Sequence, residues 1–181
     1  MDLASHQRKL LGLIKCTYKG SNDEDSYIRE VAQSTNLELI WEISAWWRAL
    51  NIERYCVLTT SLLKSWGEFD TIVQEFAKNG GTSRFIESLG TQFLEAMGRH
   101  ENHLLSSVAQ FELALIRVKS GDTSEHRVDW QHDPTIVLGK LLRGDPIGGA
   151  LGNGHYRTII SSEEPGLFRT LKLEGRGASC T

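Results

Sequence analysis

No proline interrupts the first 133 residues of this 181-residue chain; Pro134, Pro146 and Pro165 all come later. A helix interior tolerates proline least, because the ring removes an amide donor and clashes with the preceding turn. So long a proline-free stretch permits helices, and the spacing of apolar residues then decides whether they form. Only seven of the 17 glycines precede Ser120. One boundary therefore separates a segment free to be helical from a segment rich in turn formers.

The spacing favours helices before that boundary. Thr35 and Glu38 stand at capping-box separation, followed by Leu37, Ile40, Trp41, Ser44, Ala45, Trp47 and Leu50. Ser65 and Glu68 repeat the signal ahead of a stripe of Phe69, Ile72, Val73 and Phe76, which Asn79-Gly80-Gly81 stops. Phe85, Leu89, Phe93 and Met97 form a third stripe; Leu104, Val108, Phe111, Leu115 and Val118 form a fourth. Weaker helices are expected over Leu3 to Ile14 and from about Glu53 to Lys64. Each stripe must be buried against another, which predicts a compact bundle of about five to six helices.

After Gly121 the pattern changes. Arg127 to Trp130 reads as a short strand, and Thr135 to Leu142 (TIVLGKLL) as another. Ile147 to Gly154 is a glycine-rich connection. His155 to Ser161 and Leu167 to Leu173 both alternate, and Pro165-Gly166 between them predicts a hairpin. The expected class is α+β: a helical domain over 1–120, then a small antiparallel β domain over 121–181, of about three to four strands with a flexible C-terminal tail. A sheet that small leaves at least one edge open. Its unpaired N–H and C=O groups can accept an extended peptide as a further strand. The strands that offer this edge are Tyr156, Arg157, Thr158, Ile159 and Ile160, or Leu167, Phe168, Arg169 and Leu171. Arg157, Arg169, Lys172 and Arg176 make the hairpin locally basic, either protecting an edge or facing an acidic peptide.

Charge and cysteine usage narrow the function. The net charge is −3, with 13 basic and 15 acidic residues before Gly121 and 7 and 8 after Ser120. Neither part is a basic body, so nucleic acid is not expected as a partner. Cys16, Cys56 and Cys180 are too scattered for a disulfide framework or zinc finger, which fits a reducing cytoplasm. The N-terminal MDLASHQRKLLGLIKC is not a secretory signal, and no apolar run is long enough to cross a membrane.

Candidate reaction centres are weak. His100 and His103 stand three apart around Glu101, whereas the H-E-x-x-H zinc pattern needs four, so capping is favoured over a standalone metalloenzyme. The acidic loop Lys19 to Asp25 lacks calcium-loop spacing. Gly144 to Gly154 lacks the G-K-[ST] of a phosphate loop. His126, His132 and His155 are scattered near the junction; His132-Asp133 could orient an imidazole, but no G-x-S-x-G elbow accompanies it. No catalytic residue and no metal ligand are assigned to this chain. Trp41, Trp46 and Trp47 form an aromatic group whose neighbouring members 46 and 47 cannot both face one core. Trp46 and Trp47, with Trp130, His132 and Asp133, are the candidate partner interface.

Two segments, SLLKSWGEFDTIVQEFAKNGGTSRFIESLGTQFLEAM (Ser61 to Met97) and LLSSVAQFELALIRV (Leu104 to Val118), resemble a helical family commonly labelled as DNA-binding. The likeness lies in Phe69 and Phe76, Thr82-Ser83 before Leu89-Gly90, Phe93-Leu94, and Val108 to Ala114. Where that family has a proline-rich stretch, this chain has Asn79-Gly80-Gly81. The small size, the β tail and DWQHDPTIVLG (Asp129 to Gly139) are most similar to the partner-subunit family of methanobactin biosynthesis. That resemblance implies a noncatalytic subunit, without a cofactor of its own, in a heterodimer with a TIM-barrel iron enzyme. The iron cluster would lie in the partner. With dioxygen it would convert a precursor-peptide cysteine into an oxazolone and a neighbouring thioamide, while this chain holds the precursor's leader. The family label also implies a helix-turn-helix regulator, for which Arg84, Arg99, Arg117 and Lys119 are few basic residues.

Overall fold

A computed structural model describes residues 3–14, 18, 25–78, 86–148 and 151–173. Among these, the chain runs α1 (Leu3–Ile14), α2 (Ser26–Ala32), α3 (Thr35–Tyr55), α4 (Val57–Trp66), α5 (Phe69–Lys78), α6 (Ile86–Met97) and α7 (His103–Lys119). It continues through β1 (His126–His132), α8 (Pro134–Arg143), β2 (Asn153–Ile160) and β3 (Phe168–Leu173). The expected α+β class holds, with a helical N-terminal region and a three-stranded antiparallel sheet. Cys16, Cys180, Arg176, Asn22, Asp23, the Asn79-Gly80-Gly81 stop, Thr82 to Phe85 and the tail after Leu173 lie outside the described residues.

Local chemistry explains where most helices begin and end. Asp25 and Ser34 accept hydrogen bonds from the amides of Tyr27 and Asn36, capping α2 and α3. Asn102 accepts from Leu104 and Leu105 at the start of α7. Such caps satisfy amides that have no partner within the helix. The cap of α3 is Ser34, and the expected Thr35 is its first helical residue. Ser65 and Trp66 finish α4 rather than opening α5, because Gly67 adopts the left-handed conformation that terminates a helix. Among the described residues seven helices precede Ser120, where five to six were expected. The short α2 is the addition, and Cys56 marks the break between α3 and α4.

The segment Thr135 to Leu142 is not a strand; it forms most of α8. Asp133 caps it through the amide of Thr135 at 2.9 Å, Pro134 occupies the first turn, and Gly144 at φ 71° closes it. Val137, Leu138 and Leu141 bury one helical face, a spacing that no strand could satisfy.

Helix α7 is the axis of the core. Leu105, Val108, Ala109 and Phe111 are buried against Leu62 and Leu63 of α4, Phe93 and Leu94 of α6, and Val128 and Trp130 of β1. Phe111 meets Trp130 at 5.9 Å between ring centroids and Phe168 at 5.1 Å, both edge to face. The sheet is thus welded onto α7, and one apolar cluster includes residues from Ile52 to Ile160. A smaller cluster of Leu13, Ile28 and Leu37 joins α1, α2 and the start of α3. There the indole N–H of Trp41 donates to the carbonyl of Leu13 at 2.8 Å.

Helix α4 has no side-chain cap of its own. The carboxylate of Glu112, reaching across from α7, supplies it. One oxygen accepts from the Leu58 amide at 2.8 Å; the other accepts from the Thr59 amide at 2.8 Å and the Thr59 hydroxyl at 2.7 Å. Burial pushes the Glu112 carboxyl above its ordinary range, against the lowering effect of these bonds. The neighbouring Cys56 thiol is pushed up as well, first by burial and then by the charge of Glu112.

Candidate functional site

The order of strands decides which backbone is open. β2 lies between β1 and β3 and pairs antiparallel with both. Tyr156 to Ile160 therefore have both backbone margins engaged and cannot receive a further strand; the expectation for that stretch is corrected. β3 pairs only with β2 among the described residues. Alternate residues of an edge strand turn their N–H and C=O groups outward. Of the two candidate edges, the one over Phe168 to Leu171 is the open one.

Leu167 itself is not part of that strand. It follows Gly166 in a 3-10 turn, and both adopt positive φ, 75° for the glycine and 72° for the leucine. Such a conformation strains a leucine, and its bonds help hold it in place. Its amide donates to the Glu164 carbonyl at 2.8 Å and its own carbonyl accepts from Ser161 at 3.0 Å. The side chain packs against the core, so Leu167 closes the hairpin rather than meeting a peptide.

Residues paired across antiparallel strands share a face. Asp129, Arg157 and Leu171 form one row on the outer face; Arg127, Ile159 and Arg169 form the next; His155 and Leu173 form a third. Phe168 and Thr170 lie on the inner face, with the Thr170 and Thr158 hydroxyls 3.2 Å apart. Leu171 and Leu173 are therefore apolar side chains on the solvent side of an edge strand, and both are exposed. Lys172 is exposed beside them.

The two arginines expected to greet an acidic peptide already hold carboxylates. Arg157 grips Asp129 with a two-pronged contact, Nε to Oδ1 at 2.6 Å and a terminal nitrogen to Oδ2 at 3.0 Å. The guanidinium holds Asp129 below the usual carboxylate range and is itself pushed up by it. Arg169 Nε lies 2.7 Å from Glu164 Oε1. The outer face is thus charge-matched, and what it offers an incoming chain is backbone and leucine.

The candidate partner-interface residues separate. Trp46 and Trp47 are both exposed, at 59% and 50%, with rings edge to face at 5.2 Å. Trp130 is buried against Phe111 and meets no partner from solution; its expected interface role is corrected. Its indole nitrogen and His132 Nδ1 are buried without a hydrogen-bond partner among the described residues. Asp133 spends its carboxylate on capping α8, not on orienting His132. Around α7, His100 Nδ1 accepts from the Asn102 amide at 3.1 Å, and His103 is the first helical residue. His126 Nε2 meets Asp122 Oδ2 at 3.0 Å. The Asp122 carboxyl is held down at about 2, chiefly by hydrogen bonds from Ser124 and secondarily by His126.

Glu112 and the groove beside α3, described below, escaped the sequence reading. A glutamate inside the apolar run Val108 to Ala114 was the available signal for the first. Among the described residues, no group of three or more His, Cys, Asp and Glu side chains is placed to hold a metal ion. No described helix is long and apolar enough to cross a membrane. Neither a family model, nor a curated protein, nor a solved structure matches this chain.

Proposed function

We propose that this chain is a noncatalytic, peptide-binding subunit that receives an extended peptide along the outer margin of β3. The observation that carries the reading is that β3 bonds to β2 alone, with Leu171 and Leu173 uncovered beside the free margin. Main-chain pairing supplies affinity in such a complex, and alternate side chains supply register. The peptide's own apolar residues would lie across Leu171 and Leu173, with Lys172 an exposed cation beside them and Arg169 held by Glu164.

The resemblance of Ser61 to Met97, Leu104 to Val118 and Asp129 to Gly139 supports a finer reading. The peptide is then the leader of a precursor, and the chain works in a heterodimer with a TIM-barrel iron enzyme that oxidises a cysteine of that precursor. The iron and its dioxygen chemistry belong to that enzyme, and this chain presents the substrate to it in the cytoplasm.

The test is co-expression with a candidate precursor peptide and iron enzyme encoded beside the gene. The expected result is a 1:1 heterodimer that retains the peptide. A double Leu171→Asp, Leu173→Asp variant should lose the peptide about tenfold or more and keep the enzyme. Peptide affinity unchanged in that variant would remove β3 as the binding edge.

A further inference from the structure

The longest helix turns an apolar stripe outward. Leu39, Ile40, Ile43, Trp46 and Trp47 lie along one face of α3, each between 41% and 59% exposed. Isolated exposed apolar residues are ordinary, but a contiguous group of large ones marks an interaction surface. Beside the stripe a groove runs between α3 and α5. Its wider part, about 420 Å³, passes Trp46, Ala49, Leu50, Phe69 and Asp70. A narrower part, about 160 Å³, continues past Ala45, Val73 and Ala77 while sharing Trp46, Ala49 and Asp70. Phe69 and Val73 are buried as the floor. Alanine at 45, 49 and 77 removes the bulk that would otherwise fill the channel.

We propose that this groove docks an amphipathic helix of a partner protein, apolar on the face it buries and basic along one edge. The shape suits a helix: a groove between two helices accepts side chains repeating at three and four residues. The charge calls for a basic one. Trp46, Ala49 and Glu53 line the groove at spacings of three and four, and Glu42, four residues before Trp46, continues their side of α3. Asp70 stands on the facing helix. Lys64, the cation of the groove, is already bonded to Glu53. Among the described residues, Glu42 and Asp70 have no ion-pair partner. Among the described residues, the groove's charged side chains therefore balance to net negative.

A second copy of this chain fits less well. A two-fold antiparallel pairing through α3 would set each flank against itself. Glu42, Glu53 and Asp70 would meet their own duplicates, and like charges brought together across an interface are costly. The inference rests on the reading that this chain works beside a protein partner. It does not rest on the β3 edge, and a peptide that fails to bind there leaves the groove untouched.

The test uses the full chain and a fluorescein-labelled 18-residue peptide with leucine at helical spacing and lysine elsewhere. Its comparators replace every lysine by glutamate, or every leucine by serine with the lysines kept. Fluorescence anisotropy in ~0.15 M salt should show saturable binding of the leucine–lysine peptide alone. Trp46→Ala should weaken it about tenfold or more, and Asp70→Lys about fivefold, the second effect shrinking as salt rises. Leu142→Ala, an exposed apolar site on α8, should leave it unchanged. Absence of saturable binding would overturn the proposal. So would indifference to Trp46→Ala, or equal binding of the leucine–glutamate peptide. A chain that dimerises in sedimentation equilibrium and loses the dimer on Trp46→Ala would make the second copy the occupant. If the peptide fails while the enzyme still copurifies, the groove assignment falls and the partner reading stands.

Discussion

Replacing Glu112 by alanine should be among the most damaging single changes outside the aromatic core. Three donors converge on this carboxylate: the Leu58 and Thr59 amides and the Thr59 hydroxyl, at 2.8, 2.8 and 2.7 Å. The amides are the unsatisfied donors at the start of α4, and no side chain of that helix replaces them. Each hydrogen bond to a charged acceptor contributes about 1.5–3 kcal/mol, and each buried donor left alone costs about 1–3 kcal/mol. These terms overlap, so the expected loss is about 3–5 kcal/mol. For a chain of this length that corresponds to a melting temperature about 6–20 °C lower. Glu112→Gln keeps one accepting oxygen but sets an NH₂ group against donors, and should cost about 2 kcal/mol.

The pH dependence gives a second readout. Burial raises the folded pKa of Glu112 above its unfolded value. The stability linked to that shift is fully present below the unfolded pKa and is lost as pH rises through the folded pKa. The neutral acid still has a place, because the Thr59 hydroxyl can accept its proton as readily as it donates to the carboxylate. The advantage of the wild type over Glu112→Gln should therefore shrink from about pH 4 upward, measured by urea unfolding across pH. An alanine variant within about 1 kcal/mol of wild type, or a glutamine difference that grows with pH, would refute this reasoning.

Three further outcomes follow from the packing. A Cβ at Gly90 would overlap the ring of Tyr55 where α6 crosses α3, so Gly90→Ala should lower stability by about 1–3 kcal/mol, and pairing it with Tyr55→Ala should cost less than the sum of the two. Phe111→Ala removes the ring that joins α7 to Trp130 and Phe168, and should cost about 3–5 kcal/mol with loss of near-ultraviolet circular dichroism. Asp133→Ala strips the cap from α8 and should cost about 1 kcal/mol in denaturant unfolding, leaving peptide binding unchanged.

The residues themselves foretold much of this architecture. Leu3 to Ile14 is a helix with the bounds its spacing implied, and α7 follows the stripe from Leu104 to Val118. Pro165-Gly166 does turn one alternating segment back on another. The failures have physical causes. In TIVLGKLL the β-branched start outweighed the stop and start signals around it, though Asp133, Pro134 and Gly144 together specify a helix. On α3, periodicity reported which residues share a face, but it could not report whether anything covers that face. Leu37 is buried while Ile40 and Trp47 on the same stripe are open. Strand order is a tertiary property, so the sequence offered β2 and β3 equally as edges until β1 was seen to close one of them. Arg157 and Arg169 looked free because Asp129 and Glu164 become their neighbours only across folded chain.

The most direct measurement is hydrogen exchange of the β3 amides in the full chain, with and without a bound precursor peptide. The outward N–H groups between Phe168 and Leu173 should exchange rapidly in the free protein and become protected when the peptide pairs with them, while β2 amides stay protected in both states. Protection that leaves the β3 amides unchanged and develops elsewhere would contradict the account.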